Sequence, residues 1–259
     1  MDFPEKIKSL ISTEQYEKDT IGMSSASILL FQDKVLKVTE ADEEAENEVG
    51  IMRWLHGRLP VPKVLCHEIY EGRSYLLMSK LPGVMACDTS LLSNPPKLTV
   101  ILAEGLKQLW KVEISDCPFD NGLDKKLEMA KYSVEHDLVD VDNVEPETFG
   151  KDGFRNPAHL LDWLIKNRPE EELVFSHGDF CLPNLFVKDD KVSGFLDLGK
   201  CGRADRYQDI ALCYRSLQHN FNGKYGSHEG LDPDLLFELL GIEPDWNKIK
   251  YYKLLDELF

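Results

Sequence analysis

Two periods of hydrophobicity divide the chain. In the first third the period is two: Val35-Leu36-Lys37-Val38 puts Lys37 on the same strand face as Val35, and residues 74–81 read as a central strand broken by Pro82-Gly83. Between these strands the period lengthens. Ala45, Glu48, Met52 and Leu55 recur on one face of a helix expected from about residue 40 to 55, which carries Glu48 inward while Glu43, Glu44 and Asn47 face water. Leu59-Pro60-Val61-Pro62 is a stiff turn back into a strand, because neither proline can extend the helix before it. From residue 97 the pattern is mainly helical. Leu98, Ile101, Leu102, Leu106 and Leu109 share a face, and Pro95-Pro96 suits a helix start. Further helices are expected over 122–137, over 159–166 with Leu160, Leu161, Leu164 and Ile165 inward, from Asp209 with Ile210, Cys213, Tyr214 and Leu217 inward, and over 248–259 with Tyr251, Leu254, Leu255 and Leu258 inward. A small antiparallel sheet with one helix, then a larger, mainly helical region, makes the fold class α+β in two lobes, residues 1–81 and 82–259.

Composition changes this picture little. The 259 residues are 42% hydrophobic, enough for a core in each lobe. No apolar run is long enough to span a bilayer, and Met1-Asp2-Phe3-Pro4-Glu5 lacks the basic and apolar parts of a signal peptide, so a cytoplasmic protein is expected. Six cysteines, with no CxxC pair and no histidine at zinc-ligand spacing, read as buried free thiols. The net charge of -16 argues against nucleic acid and against an anionic membrane surface, and favours a polycationic partner. Acidic residues gather at 135–147 and again at Asp256-Glu257.

The candidate chemistry lies in residues 173–217. His177-Gly178-Asp179 is followed by Asn184 and, at the end of a hydrophobic run, by Asp197. This is the set that phosphoryl transfer from a magnesium-bound nucleotide requires, where positioning and charge neutralisation dominate. Asp179 would accept or orient the proton of an attacking hydroxyl. Asn184 and Asp197 are oxygen donors of the kind magnesium takes. Residues 185–192 read as a short hairpin, which brings Asn184 and Asp197 to the same end. His177 reads as structural, and Asp209 as a helix cap or a brace for the loop of Asp179. Upstream, Lys37 in a hydrophobic strand needs a partner, and Glu48 on the inner helix face supplies one. Such a pair would hold nucleotide phosphates, although a lysine reaching solvent at a strand edge fits the residues equally well. Residues 19–26 form a small-residue turn, suited either to a plain hairpin or to cradling phosphate.

HGDFCLPN followed by GFLDLG resembles the catalytic and metal-binding loops of the aminoglycoside phosphotransferases, and GKCGRADRYQDIA resembles their 3'-phosphotransferase branch. The likeness continues through VPKVL, NGLDKKL and the terminal YYKLLDELF, so it covers nearly the whole chain. It implies a protein-kinase-like fold, with residues 1–81 as the nucleotide-binding lobe and residues 82–259 as the catalytic and substrate-binding lobe. The cofactors implied are ATP or GTP and Mg. Asp179 is then the catalytic residue, with Asn184 and Asp197 as the metal ligands. Ser24, Val35, Lys37, Glu48, Ser79 and Leu81 contact nucleotide, the last two through backbone groups at the connector edge. Asp142, Glu145, Lys200, Asp256, Glu257 and the carboxylate of Phe259 contact a polycationic aminoglycoside, which a monomer or weak homodimer would phosphorylate at the 3'-hydroxyl. The chain departs from the family at two positions. Val35 stands where an aromatic residue often lies over adenine, and Lys200 stands where arginine is usual, which exchanges a planar bidentate contact for a point charge.

Two other readings use the same residues. A kinase of another small hydroxyl compound, similar to choline, homoserine or sugar kinases, could stand on the same fold. A catalytically silent nucleotide-binding module is the other. It would be expected to lack one of Lys37, Glu48, Asp179, Asn184 and Asp197, and all five are present.

Overall fold

The structure, a computed structural model, describes residues 3–11, 14–18, 26–151, 153–222, 224–225 and 228–259. In chain order it begins with α1 (Glu5–Ile11), β1 (Glu17–Lys18), β2 (Ser27–Leu30), β3 (Lys34–Glu40), α2 (Glu43–Leu55), β4 (Val64–Tyr70), β5 (Arg73–Ser79) and β6 (Val84–Met85). Helices α3 (Thr89–Leu92), α4 (Pro95–Trp110), α5 (Leu123–Glu135) and α6 (Pro157–Lys166) follow, then β7 (Leu173–Ser176). The last part holds β8 (Leu185–Lys188), β9 (Lys191–Phe195), β10 (Gly202–Asp205), α7 (Arg206–Phe221), α8 (Leu235–Leu240) and α9 (Trp246–Asp256).

The chain forms two compact units. The first is Met1–Met85 together with Asn184–Lys200, and the second is Ala86–Pro183 together with Cys201–Phe259. In the first unit, five antiparallel strands lie in the order β1-β2-β3-β5-β4. One face of this sheet buries Leu29, Phe31, Leu36, Val38, Tyr75 and Leu77 against Ile7 and Ile11 of α1. Helix α2 starts at Glu43, later than its period suggests, because Glu40 is still paired with Arg73 in β3. Asp42 then caps it by accepting from the Ala45 amide at 2.8 Å. The hairpin β8–β9 joins this unit because β6 pairs with β8, Val84 opposite Val187. Its turn is Asp189-Asp190, at φ 51° and 62°, the left-handed pair that a two-residue hairpin uses.

The second unit is mainly helical. Leu98, Ile101, Leu102 and Leu106 of α4 are buried, and α7 buries residues around its whole circumference, with α9 packed against it. β7 pairs antiparallel with β10. Three expectations are corrected here. Ile165, expected inward, is 52% exposed, and Leu254 is only half-buried. The helix expected from Asp209 begins at Arg206, since Asp205 is its cap. Fully buried, Asp205 accepts from the Tyr207 amide at 3.1 Å, from Lys248 Nζ at 3.0 Å and from the Tyr252 hydroxyl at 3.0 Å, tying the start of α7 to α9. All six cysteines are free; Cys117, Cys201 and Cys213 are buried, whereas Cys66, Cys87 and Cys181 are only partly so. Among the described residues, no helix is long and apolar enough to cross a membrane.

Candidate active site

In the first unit, Lys37 sits mid-strand in β3, opposite Leu76 of β5, and its side chain reaches both Glu48 of α2 and Asp197. Its ammonium lies 2.9 Å from Glu48 Oε2, 3.1 Å from Oε1 and 2.7 Å from Asp197 Oδ1. Burial works against charge on Lys37, but the two carboxylates outweigh it and hold the pKa above its ordinary value, so the cation persists. Burial likewise pushes the Glu48 carboxyl up, against the pull of Lys37. The helix–strand pairing inferred from periodicity is therefore present, and Asp197 completes it.

Asp197 is delivered by the hairpin. Leu185 is opposite Phe195, and the Leu196 amide donates to the Asn184 carbonyl at 2.8 Å, so Asn184 and Asp197 flank the same open end of β8–β9. Asp197 itself has φ 56°, a left-handed backbone that costs a non-glycine residue energy and that aspartate tolerates better than most. With one amide oxygen and one carboxylate, the pair suits Mg, which keeps several waters and takes its remaining ligands from substrate phosphates. Among the described residues there is no group of three or more His, Cys, Asp or Glu able to hold a metal.

Of the other residues expected at nucleotide, Val35 is on β3 opposite Met78, and Ser79 ends β5 opposite Lys34. The Ser79 amide donates to the Lys63 carbonyl at 3.0 Å, and its hydroxyl accepts from the Lys63 amide at 2.9 Å, which fixes the connector. Leu81 follows, half-buried, and packs so closely on Gly194 that a Cβ there would meet the Leu81 side chain at 2.4 Å. Lys200 closes the helical turn Leu198–Lys200, half-buried. Ser24 lies outside the described residues.

The second unit holds Asp179. Gly178, at φ 82°, turns the chain just before it, a conformation that glycine adopts without cost. Asp209 does not cap a helix; it braces this loop. Fully buried, it accepts from the amides of His177 at 2.8 Å and Gly178 at 2.9 Å, and burial raises its pKa even so. His177 is structural, its ring nitrogen accepting from the Asp179 amide at 3.3 Å.

A second cluster of charge surrounds Arg215 of α7, which sequence reasoning did not single out. Its guanidinium pairs with Asp256 and lies 3.4 Å from Glu257 Oε1. Burial acts against its charge, but Asp256, Glu257 and Asp179 together raise its pKa. Glu257 Oε2 in turn accepts from the Glu145 amide at 3.0 Å, and Glu145 Oε1 lies 2.7 Å from Lys224 Nζ and 3.0 Å from His219 Nε2. Asp256, Glu257 and Glu145 are thus brought together. Asp142 remains exposed, its amide donating to Asp140 within the same loop at 3.2 Å. Phe259 is 40% exposed; its amide donates to the Asp256 carbonyl at 3.3 Å, and Lys126 Nζ sits 5.7 Å from its ring. Spacing holds no signal for Arg215, whose partners lie more than 40 residues away. Half of the residues of α7 are polar, so its composition does not mark Arg215 as a paired charge either.

The chain belongs to the phosphotransferase enzyme family, whose match covers residues 24–239. More particularly, it is 44% identical to an aminoglycoside 3'-phosphotransferase of Enterococcus faecalis, over 98% of this chain and 97% of the relative. Among solved structures it resembles an aminoglycoside 3'-phosphotransferase of type VIII at a TM-score of 0.83 and 25% identity, covering 98% of this chain and 97% of that one. It also resembles an aminoglycoside phosphotransferase from Streptomyces rimosus solved with ADP and streptomycin, at a TM-score of 0.78 and 25% identity over 97% of this chain and 95% of that one. The two-lobed kinase-like α+β fold expected from the sequence is the fold of these proteins.

Proposed function

We propose that the chain transfers the γ-phosphoryl group of ATP to the 3'-hydroxyl of aminoglycoside antibiotics, a resistance reaction carried out in the cytoplasm by a monomer or weak homodimer. The single observation that carries the substrate is the nearly full-length likeness to an aminoglycoside 3'-phosphotransferase. The geometry supports the reaction. Lys37, kept charged by Glu48, meets the α- and β-phosphates, and the connector at Ser79 and Leu81 offers backbone groups to adenine beside Val35. Asn184 and Asp197 would hold Mg, which when bound neutralises charge on the phosphates. Asp179, on a loop braced by Asp209, accepts the proton of the attacking hydroxyl. Glu145, Asp256, Glu257 and the Phe259 carboxylate meet substrate ammonium groups, with Asp142 on the loop above and Lys200 toward the transferred phosphate.

Mass spectrometry of kanamycin incubated with the pure protein and Mg-ATP, beside tobramycin, which lacks the 3'-hydroxyl, tests this. A single phosphoryl gain on kanamycin with tobramycin unmodified is the expected result. ATP binding without modification of either drug would remove the substrate class and direct the search to smaller hydroxyl metabolites.

A further inference from the structure

Glu145 is tied down through both its backbone and its carboxylate. Besides the bond from its amide to Glu257, its Oε1 faces Lys224 Nζ at 2.7 Å and His219 Nε2 at 3.0 Å. The two nitrogen partners differ in standing. His219 is buried in α7, its ring edge-on to Tyr225 at 5.6 Å, and burial, with Lys224 and Arg215 nearby, lowers its pKa despite Glu145. It therefore serves as a neutral hydrogen-bond donor near pH 7. Lys224 lies beyond the end of α7, and its side chain is 38% exposed. A primary ammonium on a flexible alkyl stem is chemically the same group as an amino substituent of a polyamine ligand. Burial would raise the Glu145 pKa, but the Lys224 hydrogen bond and the charges of Lys224 and Arg215 prevail and lower it, so the carboxylate is an anion with a cation already on it. Two ammonium groups on the same oxygen repel each other.

We propose that Lys224 is an internal competitor of the substrate: its ammonium stands on Glu145 where a substrate ammonium would bind, and binding at this carboxylate proceeds by exchange of one for the other. His219 remains in place and orients the carboxylate. Lys224 is thus a specificity-determining residue that weakens the hold of this face on polyamines. The inference rests on the aminoglycoside reading above.

Isothermal titration of the full-length protein with kanamycin, using wild type, Lys224→Met and Lys224→Arg at low and high salt, tests it. Lys224→Met should bind more tightly by up to about fivefold, the scale of a partly exposed ion pair, with the gain shrinking in high salt. Lys224→Arg, which keeps a cation, should stay near wild type. Binding by Lys224→Met that is equal to or weaker than wild type overturns the exchange alone. Wild-type protein that does not bind kanamycin at all removes the substrate reading and the exchange together. If Lys224→Met melts early, Lys224→Gln supplies the same neutral comparison.

Discussion

Lys37 in the first unit and Arg215 in the second are each clasped by two carboxylates, but the exposure of the partners runs differently. Around Lys37, Glu48 is 7% exposed and anchors the cation, while Asp197 is 45% exposed and stands on a left-handed backbone. The lysine is thereby held between one buried and one open carboxylate. Around Arg215, 18% exposed, Glu257 at 7% is the more buried partner and Asp256 at 22% the more open one, with Glu145 close behind. Each cluster is thus anchored by a buried glutamate, and the two differ in how far the second carboxylate reaches water, which sets how strongly solvent screens that pair.

The comparison can be broken from several sides, beginning with the largest effect. Asp179→Ala should lower kcat by about 10² to 10⁴, the range for a positioned base, with the ATP dissociation constant unchanged because Lys37 and its carboxylates belong to the other unit. Steady-state kinetics together with ATP titration check this, and unchanged turnover would end the assignment. Lys248→Met leaves the buried Asp205 carboxylate without its cation and should cost about 3 kcal/mol or more in urea unfolding, a structural loss with no counterpart in ligand affinity. Lys37→Met should cost less stability, about 1–3 kcal/mol, but should raise the KM for ATP strongly. Adding Glu48→Gln to it should restore stability without restoring the KM, and recovery of both would contradict a phosphate-holding role.

The smallest effect is in pH. The Glu145 pKa lies below its ordinary 4.5, so this group adds stability above that value and loses it as the pH falls through the folded-state pKa. Glu257 is raised by burial, so its contribution is fullest in acid and declines as the pH rises. Melting curves of wild type and Glu145→Gln should therefore converge as the pH falls through the folded-state pKa of Glu145, whereas those of wild type and Glu257→Gln should coincide in acid and separate as the pH rises, with the Gln variant the more stable.

Much of this was legible in the chain. Period-two and period-3.6 patterns placed Lys37 and Glu48 on facing elements, and the residues between Asn184 and Asp197 announced a hairpin that brings both to one end. What stayed illegible depends on contacts remote in sequence. Asp197 reaches Lys37 from 160 residues away, and no local pattern records that. Asp209 reads as a possible cap in sequence, but the helix begins a turn earlier with Asp205 as its cap, and the amides that claim Asp209, those of His177 and Gly178, lie about 30 residues away. The acidic residues near the carboxyl terminus were visible as charge, yet their internal counter-cations, Arg215 and Lys224, were not, because pairing depends on where α7 and the segment after it come to rest.

The assignment of Asn184–Lys200 to the first unit has a consequence for biosynthesis. Strand β6 has no partner until β8 has been made, and Lys37 meets Asp197 only after residue 197 has been added. The amino-terminal unit therefore emerges from the ribosome incomplete and stays so while nearly a hundred residues of the second unit are synthesised, roughly ten seconds at common elongation rates. During that interval Lys37 and Glu48 exist without Asn184 and Asp197, and a nascent chain stalled before residue 184 would hold the sheet of β1 to β5 without the hairpin that completes this cluster.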